Sequence, residues 1–384
     1  MGITFLFWIT LYIYVPTLPT YLKARSINLT NIGLILSMYG FTMALFRLPV
    51  GSAIDLTGRV KPILISGLVC GAIGAFLIGK GNTTSSIAVG RALTGLSATA
   101  WVPLLVIFSS FFMPGEAVYS STLLTLTASS ARMTATSLTG FLNRMGGPRL
   151  SFNIACGTGL LAGSIVFFSK ETYKTERRIS LYEMAGLFIR KNLLVPAFIS
   201  ILVHYADWSV TFGFLPILAQ DLGATDIMKS ALISLNIAAL TAANLLNTFL
   251  LKRIKHTTIL FIGTFVLFSG ILVIVFSKSL GCIFAGTMLM GFAFGMMYPI
   301  LLGMSIQNVD KNQRNTAMGI HQALYSLGMF LGPWMSGFIA SLINIRGAFL
   351  VTGVIFFVFT NLLLIVFIRN TTRGRITAAP AATE

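Results

Sequence analysis

Gly90-Arg-Ala-Leu-Thr-Gly-Leu-Ser-Ala-Thr-Ala-Trp-Val-Pro-Leu-Leu105 aligns on Gly286-Thr-Met-Leu-Met-Gly-Phe-Ala-Phe-Gly-Met-Met-Tyr-Pro-Ile-Leu301 at an offset of 196 residues. Gly90/Gly286, Leu93/Leu289, Gly95/Gly291, Pro103/Pro299 and Leu105/Leu301 coincide, and the same offset pairs Gly67 with Gly263. The offset is close to half of a 384-residue chain, as a duplicated unit requires. Each copy sits in an apolar block of about 20 residues, long enough to cross the hydrocarbon of a bilayer as a helix.

Working outward, such blocks recur along the chain between short charged or Gly/Pro/Asn breaks. They predict helices at 3–22, 30–50, 62–79, 86–107, 119–142 and 151–169, then at 193–219, 229–251, 258–277, 281–303, 315–343 and 348–368. The expected organisation is an all-α integral membrane protein of twelve transmembrane helices in two pseudo-symmetric six-helix bundles. It divides into an N-terminal bundle (1–169), a polar central loop (170–192), a C-terminal bundle (193–368) and a disordered tail (369–384). Within the central loop, Ser180-Leu-Tyr-Glu183 has capping-box spacing, which fits either a short surface helix or a solvated linker. Parallel halves of this kind place a ligand site at their interface near mid-membrane.

Hydrophobic residues make up 55% of the chain and charged residues only 10%, with a mean hydropathy of +0.87, which excludes an ordinary soluble protein. The net charge of +17 lies mainly in short loops without the aromatic interleaving that stacks bases, so no nucleic-acid partner is expected. Sixteen Lys and Arg fall on the side that holds the central loop and eight on the other. The excess places both termini and the central loop in the cytoplasm, in the plasma membrane of the cell. The first block lacks a basic lead and a cleavage site and reads as a retained helix. Cys70, Cys156 and Cys282 lie singly in apolar blocks and suggest neither disulfides nor a metal. With no P-loop, metal cluster or nucleophile elbow, the chain is expected to be no enzyme, to carry no cofactor, and to draw energy from a gradient.

Between the second and third blocks stands Gly51-Ser-Ala-Ile-Asp55-Leu-Thr-Gly58-Arg59-Val-Lys61. This resembles the cytoplasmic signature loop of the major facilitator superfamily. Tyr14-Val-Pro16-Thr-Leu-Pro19-Thr-Tyr21, Arg91-x-x-x-Gly95 and Gly328-x-x-x-Gly332-Pro333 resemble the same superfamily, and the likeness covers essentially the whole chain. It implies a secondary transporter working by alternating access, with Gly51, Asp55, Gly58, Arg59 and Lys61 as a gate. The drug-exporting branch usually has a Gly-rich GP element in its fifth helix, where this chain reads Ala131-Arg132-Met133-Thr-Ala-Thr-Ser-Leu-Thr-Gly140. The hydroxyls of that block can serve carbonyls of their own helix or a substrate.

Arg47, Arg91, Arg132 and Asp207 lie inside expected spans, where each charge costs about 2.5 to 3.5 kcal/mol, so a watered interior face is their expected place. A carboxyl in a dehydrated, alternately opened cavity can load and release a proton. Asp207 is therefore the expected coupling residue, with His204 on its face as competitor; a fixed Asp/Arg pair is the structural alternative. Arg91 joins the coupling group by resemblance, against snorkelling to the headgroups. Arg132 is expected to meet an anionic substrate group or to hold Asp207 ionised, and Arg47 to serve a gate or to snorkel. Tyr12, Tyr14, Trp208, Met296 and Tyr298 complete the expected substrate contacts, with Met288, Met290 and Met297 lending adaptable shape. The glycines at 67, 71, 74, 291 and 295 read as close-packing positions. The expectation is thus a monomer that exports a small organic molecule in exchange for protons. Organic-anion uptake or exchange, and a non-transporting sensor, are the alternatives.

Overall fold

The computed structural model describes residues 1–109, 111–113, 116–169, 186–187, 190–307, 309 and 313–377. The chain is helical almost throughout. Helices α1 (Gly2–Ala24), α2 (Leu29–Thr57), α3 (Val60–Lys80), α4 (Thr84–Ser109), α5 (Ala117–Gly146) and α6 (Pro148–Phe168) form the first half. The second half holds α7 (Lys191–Ser209, continued by Val210–Phe214 and Leu215–Asp221), α8 (Asp226–Leu250), α9 (His256–Val275), α10 (Leu280–Ile306), α11 (Arg314–Leu342) and α12 (Ile345–Thr377). Eleven are long and apolar enough to cross a membrane; α5, at 30 residues, has the length but is too rich in Ser and Thr to qualify by composition.

The ends of these helices follow local chemistry. Asn28, Thr83, Thr225 and Ser279 accept hydrogen bonds from the backbone N–H three residues on, which caps α2, α4, α8 and α10. Thr83 and Ser279 are themselves 196 residues apart. α2 runs seven residues past its expected end at 50 and stops at Gly58, whose left-handed φ of 66° closes the helix. α12 continues to Thr377, so the first turns of the expected tail at 369–384 are helical; 378–384 and the Ser180–Glu183 box lie outside the described residues.

The repeat is realised atom by atom. A Cβ on Gly90 would meet the Gly74 carbonyl at 2.8 Å and Ile78 at 3.0 Å; a Cβ on Gly286 would meet the Gly270 carbonyl at 2.7 Å and Ile274 at 2.6 Å. Both of these contacts recur in the second half at the offset read from sequence. Missing side chains let α3 approach α4, and α9 approach α10, at backbone distance. The breaks recur too. α1 is interrupted by a 3-10 turn at Val15–Thr17 beside Pro16 and Pro19, and α7 by a π turn at Val210–Phe214. Interrupted helices at matching places in two halves are a pointer to a binding site between them.

The halves close on each other at the end away from the central loop. There Lys23 pairs with Asp221 at 2.8 Å, and the buried Lys229 pairs with Asp226 at 2.7 Å while donating to Thr20 and Gln220. Asn143 donates to Thr17 and Asp226 and accepts from Ser151. Gly33 of α2 abuts Pro333 and Gly337 of α11. At the loop end Leu48 of α2 packs on Ala317 and Ile320 of α11, and a cavity lined by Arg47, Gly51, Trp101, Leu105, Gly319 and Gln322 lies between α2, α4 and α11.

Candidate substrate and coupling site

The cavity leads inward to Trp101, the first ring of a continuous aromatic wall. Trp101 faces Trp8 at 5.4 Å, Trp8 faces Tyr12 at 5.4 Å, and Tyr12 meets Phe212 of α7 at 6.3 Å. Phe212 contacts Trp208 at 5.1 Å, which stacks on Tyr39 of α2 at 5.1 Å and 15°. Helical spacing explains the pairs: Trp8/Tyr12 and Trp208/Phe212 are each four residues apart and share a face. The π turn directly after Ser209 turns Phe212 toward α1.

A second cluster lies in the other half. His204 stacks on Tyr325 at 4.1 Å and 7° and meets Phe294 at 5.0 Å and Tyr298 at 5.4 Å. Its Nδ1 lies 2.8 Å from the Ser200 carbonyl. The Ser200 hydroxyl contacts His321 Nε2 at 3.1 Å, and His321 Nδ1 contacts Ser305 at 2.7 Å, so a second buried histidine is tied to the first through one residue.

Three guanidinium groups lie against these rings. Arg132 Cζ is 5.0 Å from the Trp8 ring and 5.8 Å from Tyr12, and its Nη2 donates to Ser129. Arg91 Cζ is 4.5 Å from Tyr39, and Arg47 Cζ is 5.9 Å from Tyr325. Cation–π contact of this kind is worth about 2 kcal/mol or more once desolvated. Asp207 is 3% exposed, and its Oδ1 has no hydrogen-bond partner. The Tyr12 hydroxyl is within electrostatic reach of Arg132, Arg91 and Asp207.

Several expected placements change. Arg91 and Arg47, 2% and 4% exposed, are drawn in by the π faces of Tyr39 and Tyr325; neither snorkels to a headgroup. Arg132 forms no ion pair with Asp207, and among the described residues no Lys, Arg or His comes within 4 Å of that carboxyl. Tyr14 is buried with its ring on Phe152 of α6 at 5.0 Å, and its hydroxyl lies within electrostatic reach of Arg91. The methionines of α10 mostly pack rather than line. Met290 and Met297 press on Gly270 and Gly263 of α9, Met288 is exposed on the outside, and Met296 is buried. The α5 hydroxyls largely serve carbonyls of their own helix, as at Thr127 and Thr136, while Thr139 reaches the Ile13 carbonyl and Ser137 reaches Ser234.

The gate residues sit at the loop end. Gly51 lines the cavity, Gly58 caps α2, Arg59 is exposed, and Lys61 Nζ donates to the Ser169 carbonyl at 2.6 Å. The Asp55 side chain lies outside what is described. Sequence reasoning missed Trp8, Tyr39, Trp101, Phe212, Phe294, Tyr325 and His321. The repeat offset carried a signal for one of these positions, because it superposes Trp8 on His204, as it superposes Tyr12 on Trp208.

The family model described as Major Facilitator Superfamily matches residues 1–195 and 197–383. Multidrug resistance protein 2 of Bacillus subtilis (strain 168) is 25% identical, over 91% of this chain and 90% of its own. The proton-coupled antiporter flippase LtaA of Staphylococcus saprophyticus is 28% identical over 37% of this chain and 35% of its own. A solved bacterial homologue of the human lysosomal transporter Spinster, inward-facing and unoccupied, superposes with a TM-score of 0.78 at 14% identity, covering 95% of this chain and 94% of that one.

Proposed function

The chain belongs to the major facilitator superfamily and is a transmembrane transporter of small molecules, not an enzyme, and on that premise we propose that it exports an organic substrate in exchange for protons. The observation that carries this reading is Asp207, a buried carboxyl between the halves with an unpartnered oxygen and no ion-pair partner within 4 Å among the described residues. Such a group is costly to hold charged in a dehydrated site, so it binds a proton or a cationic group of the cargo, one excluding the other. Mutual exclusion at one residue in a cavity that opens to alternate sides is sufficient for antiport.

In this reading His204, Arg91 and Asp207 form the coupling group. Trp208 and the Arg91–Tyr39 pair link Asp207 to the first half, so occupancy of the carboxyl bears on how the halves fit. Arg132, Tyr12, Trp208, Met296 and Tyr298 contact substrate, joined by Trp8, Phe212 and Tyr325. The gate at 51–61 opens to the cytoplasm, both termini are cytoplasmic, the membrane is the plasma membrane, and the monomer is the working unit. The likeness to a multidrug resistance protein and to a proton-coupled antiporter flippase supports export.

A second reading, organic-anion uptake or exchange, is favoured by the excess of three arginines within the spans, two of them buried and one half-buried, over one aspartate. Proteoliposomes with an internal pH dye separate the two. Substrate movement that releases protons in the opposite direction supports export by antiport. Movement of an anion with a proton, or one-for-one anion exchange indifferent to a pH gradient, supports the second reading and overturns the first.

A further inference from the structure

The inter-half space holds charges of both signs that decline to pair. Nε of Arg47, Arg91 and Arg132, Nη1 of Arg91 and Oδ1 of Asp207 are all buried without a hydrogen-bond partner. Among the described residues, the side-chain ion pairs within 4 Å are Lys23–Asp221 and Lys229–Asp226, both at the far end of the bundle. Unpaired buried charge is unfavourable unless something completes it. The groups are also sorted in space: Arg91 and Arg132 belong to the first half, Asp207 to the second, and the wall Trp8, Tyr12, Phe212, Trp208 runs from one to the other.

We infer that the substrate is an aromatic zwitterion, with its anionic group held by Arg91 and Arg132, its ring on the aromatic wall, and its cationic group at Asp207. Each charge class taken alone fits poorly. A simple cation would satisfy Asp207 but meet three guanidinium groups, and a simple anion would satisfy the arginines but leave Asp207 unpaired beside it. A molecule with both charges separated by a flat ring engages Arg91, Arg132 and Asp207 at once. The rings suit it energetically, since stacking and cation–π contacts are favourable for flat, partly charged bodies. The inference rests on the export reading in one respect: the cationic group takes the place of the coupling proton at Asp207.

The test uses purified full-length protein in nanodiscs and two aromatic skeletons, tryptophan and tryptophyl-tryptophan. Each is supplied as the zwitterion, the methyl ester (cation only) and the N-acetyl acid (anion only). Calorimetry and thermal shift should rank at least one zwitterion about tenfold tighter than its ester and its acid, the scale of one charge-assisted hydrogen bond. Arg132→Gln should weaken zwitterion and acid and spare the ester; Asp207→Asn should weaken zwitterion and ester and spare the acid. Arg132→Lys, which keeps the charge, guards against misfolding and should recover part of the loss. Tightest binding by an ester or an acid, no binding by either zwitterion, or variants that weaken all three forms equally would overturn the inference. Proton-coupled flux of a compound with a single charge sign would sink the inference and leave the export reading standing. Zwitterion binding without proton-coupled flux would do the reverse.

Discussion

Tyr39 of α2 stacks on Trp208 of α7 across the boundary between the two halves, with centroids 5.1 Å apart and planes at 15°. Arg91 lies 4.5 Å from the same Tyr39 ring, and Trp208 is the chain neighbour of Asp207. A family-motif arginine in the first half is thereby joined to the candidate coupling residue in the second through two rings. The stack belongs to the arrangement in which the loop-end cavity beside Arg47 and Trp101 is present.

Tyr39→Leu should therefore shift the balance away from that arrangement. An aromatic pair is worth about 0.5 to 1.5 kcal/mol beyond area burial, which corresponds to a change of about 2- to 12-fold. Accessibility of a single cysteine at Leu105, on the cavity wall, measures it. Unchanged labelling in a well-folded variant would show that the stack only packs.

Asp207→Asn mimics the protonated carboxyl and cannot release a proton. Accumulation of substrate against its gradient should be abolished and its pH dependence lost, while passive exchange persists at the substrate concentrations that the weakened binding requires. His204→Gln, measured beside it, should retain a pH-dependent accumulation. If Asp207→Asn still accumulates substrate with normal pH dependence, the aspartate is structural and coupling belongs to His204 or to the cargo.

Lys229→Met removes a buried cation that ties α8 to Thr20 of α1 and to Gln220. Hydrogen bonds to charged groups contribute about 1.5 to 3 kcal/mol, so opening of the far end should become about 10- to 100-fold more populated. Spin labels at Arg25 and Gly223 report the separation of the halves there. A distance distribution identical to the parent would remove Lys229 from the closing contacts.

Gly90→Val and Gly286→Val should be matched lesions, because each side chain would collide with a facing glycine carbonyl. Overpacking costs about 1 to 3 kcal/mol, visible as a lower melting temperature and folded yield. Gly303→Ala, at a position with open space, should be close to neutral. A large difference between the two valine variants would mean that the repeated contact is not equally stressed in the two halves.

Topology is open to a direct check. A single cysteine at Asn82 should react with an impermeant reagent from outside intact cells, and one at Thr175 only after permeabilisation. The opposite pattern would invert the assignment of inside and outside.

Helix count and halves were legible in the sequence because a bilayer imposes them: each crossing needs about 20 apolar residues with its backbone satisfied internally. Even α5, too polar to qualify by composition, was legible by length and by its place in a six-plus-six repeat. The ionisable residues were legible for the same reason, since Arg47, Arg91, Arg132 and Asp207 stand out against an apolar background. Their partners were not. Hydropathy cannot distinguish Trp8 and Tyr39, which meet guanidinium groups, from Tyr119, which lies exposed against Phe112. Nor could it tell that Asp207 stays apart from every arginine, because charge attraction alone favours a pair. Those outcomes depend on where the breaks in α1 and α7 rotate each face, and on which residues of the other half arrive opposite. That is a property of two bundles docked together, and only the tertiary structure decided it.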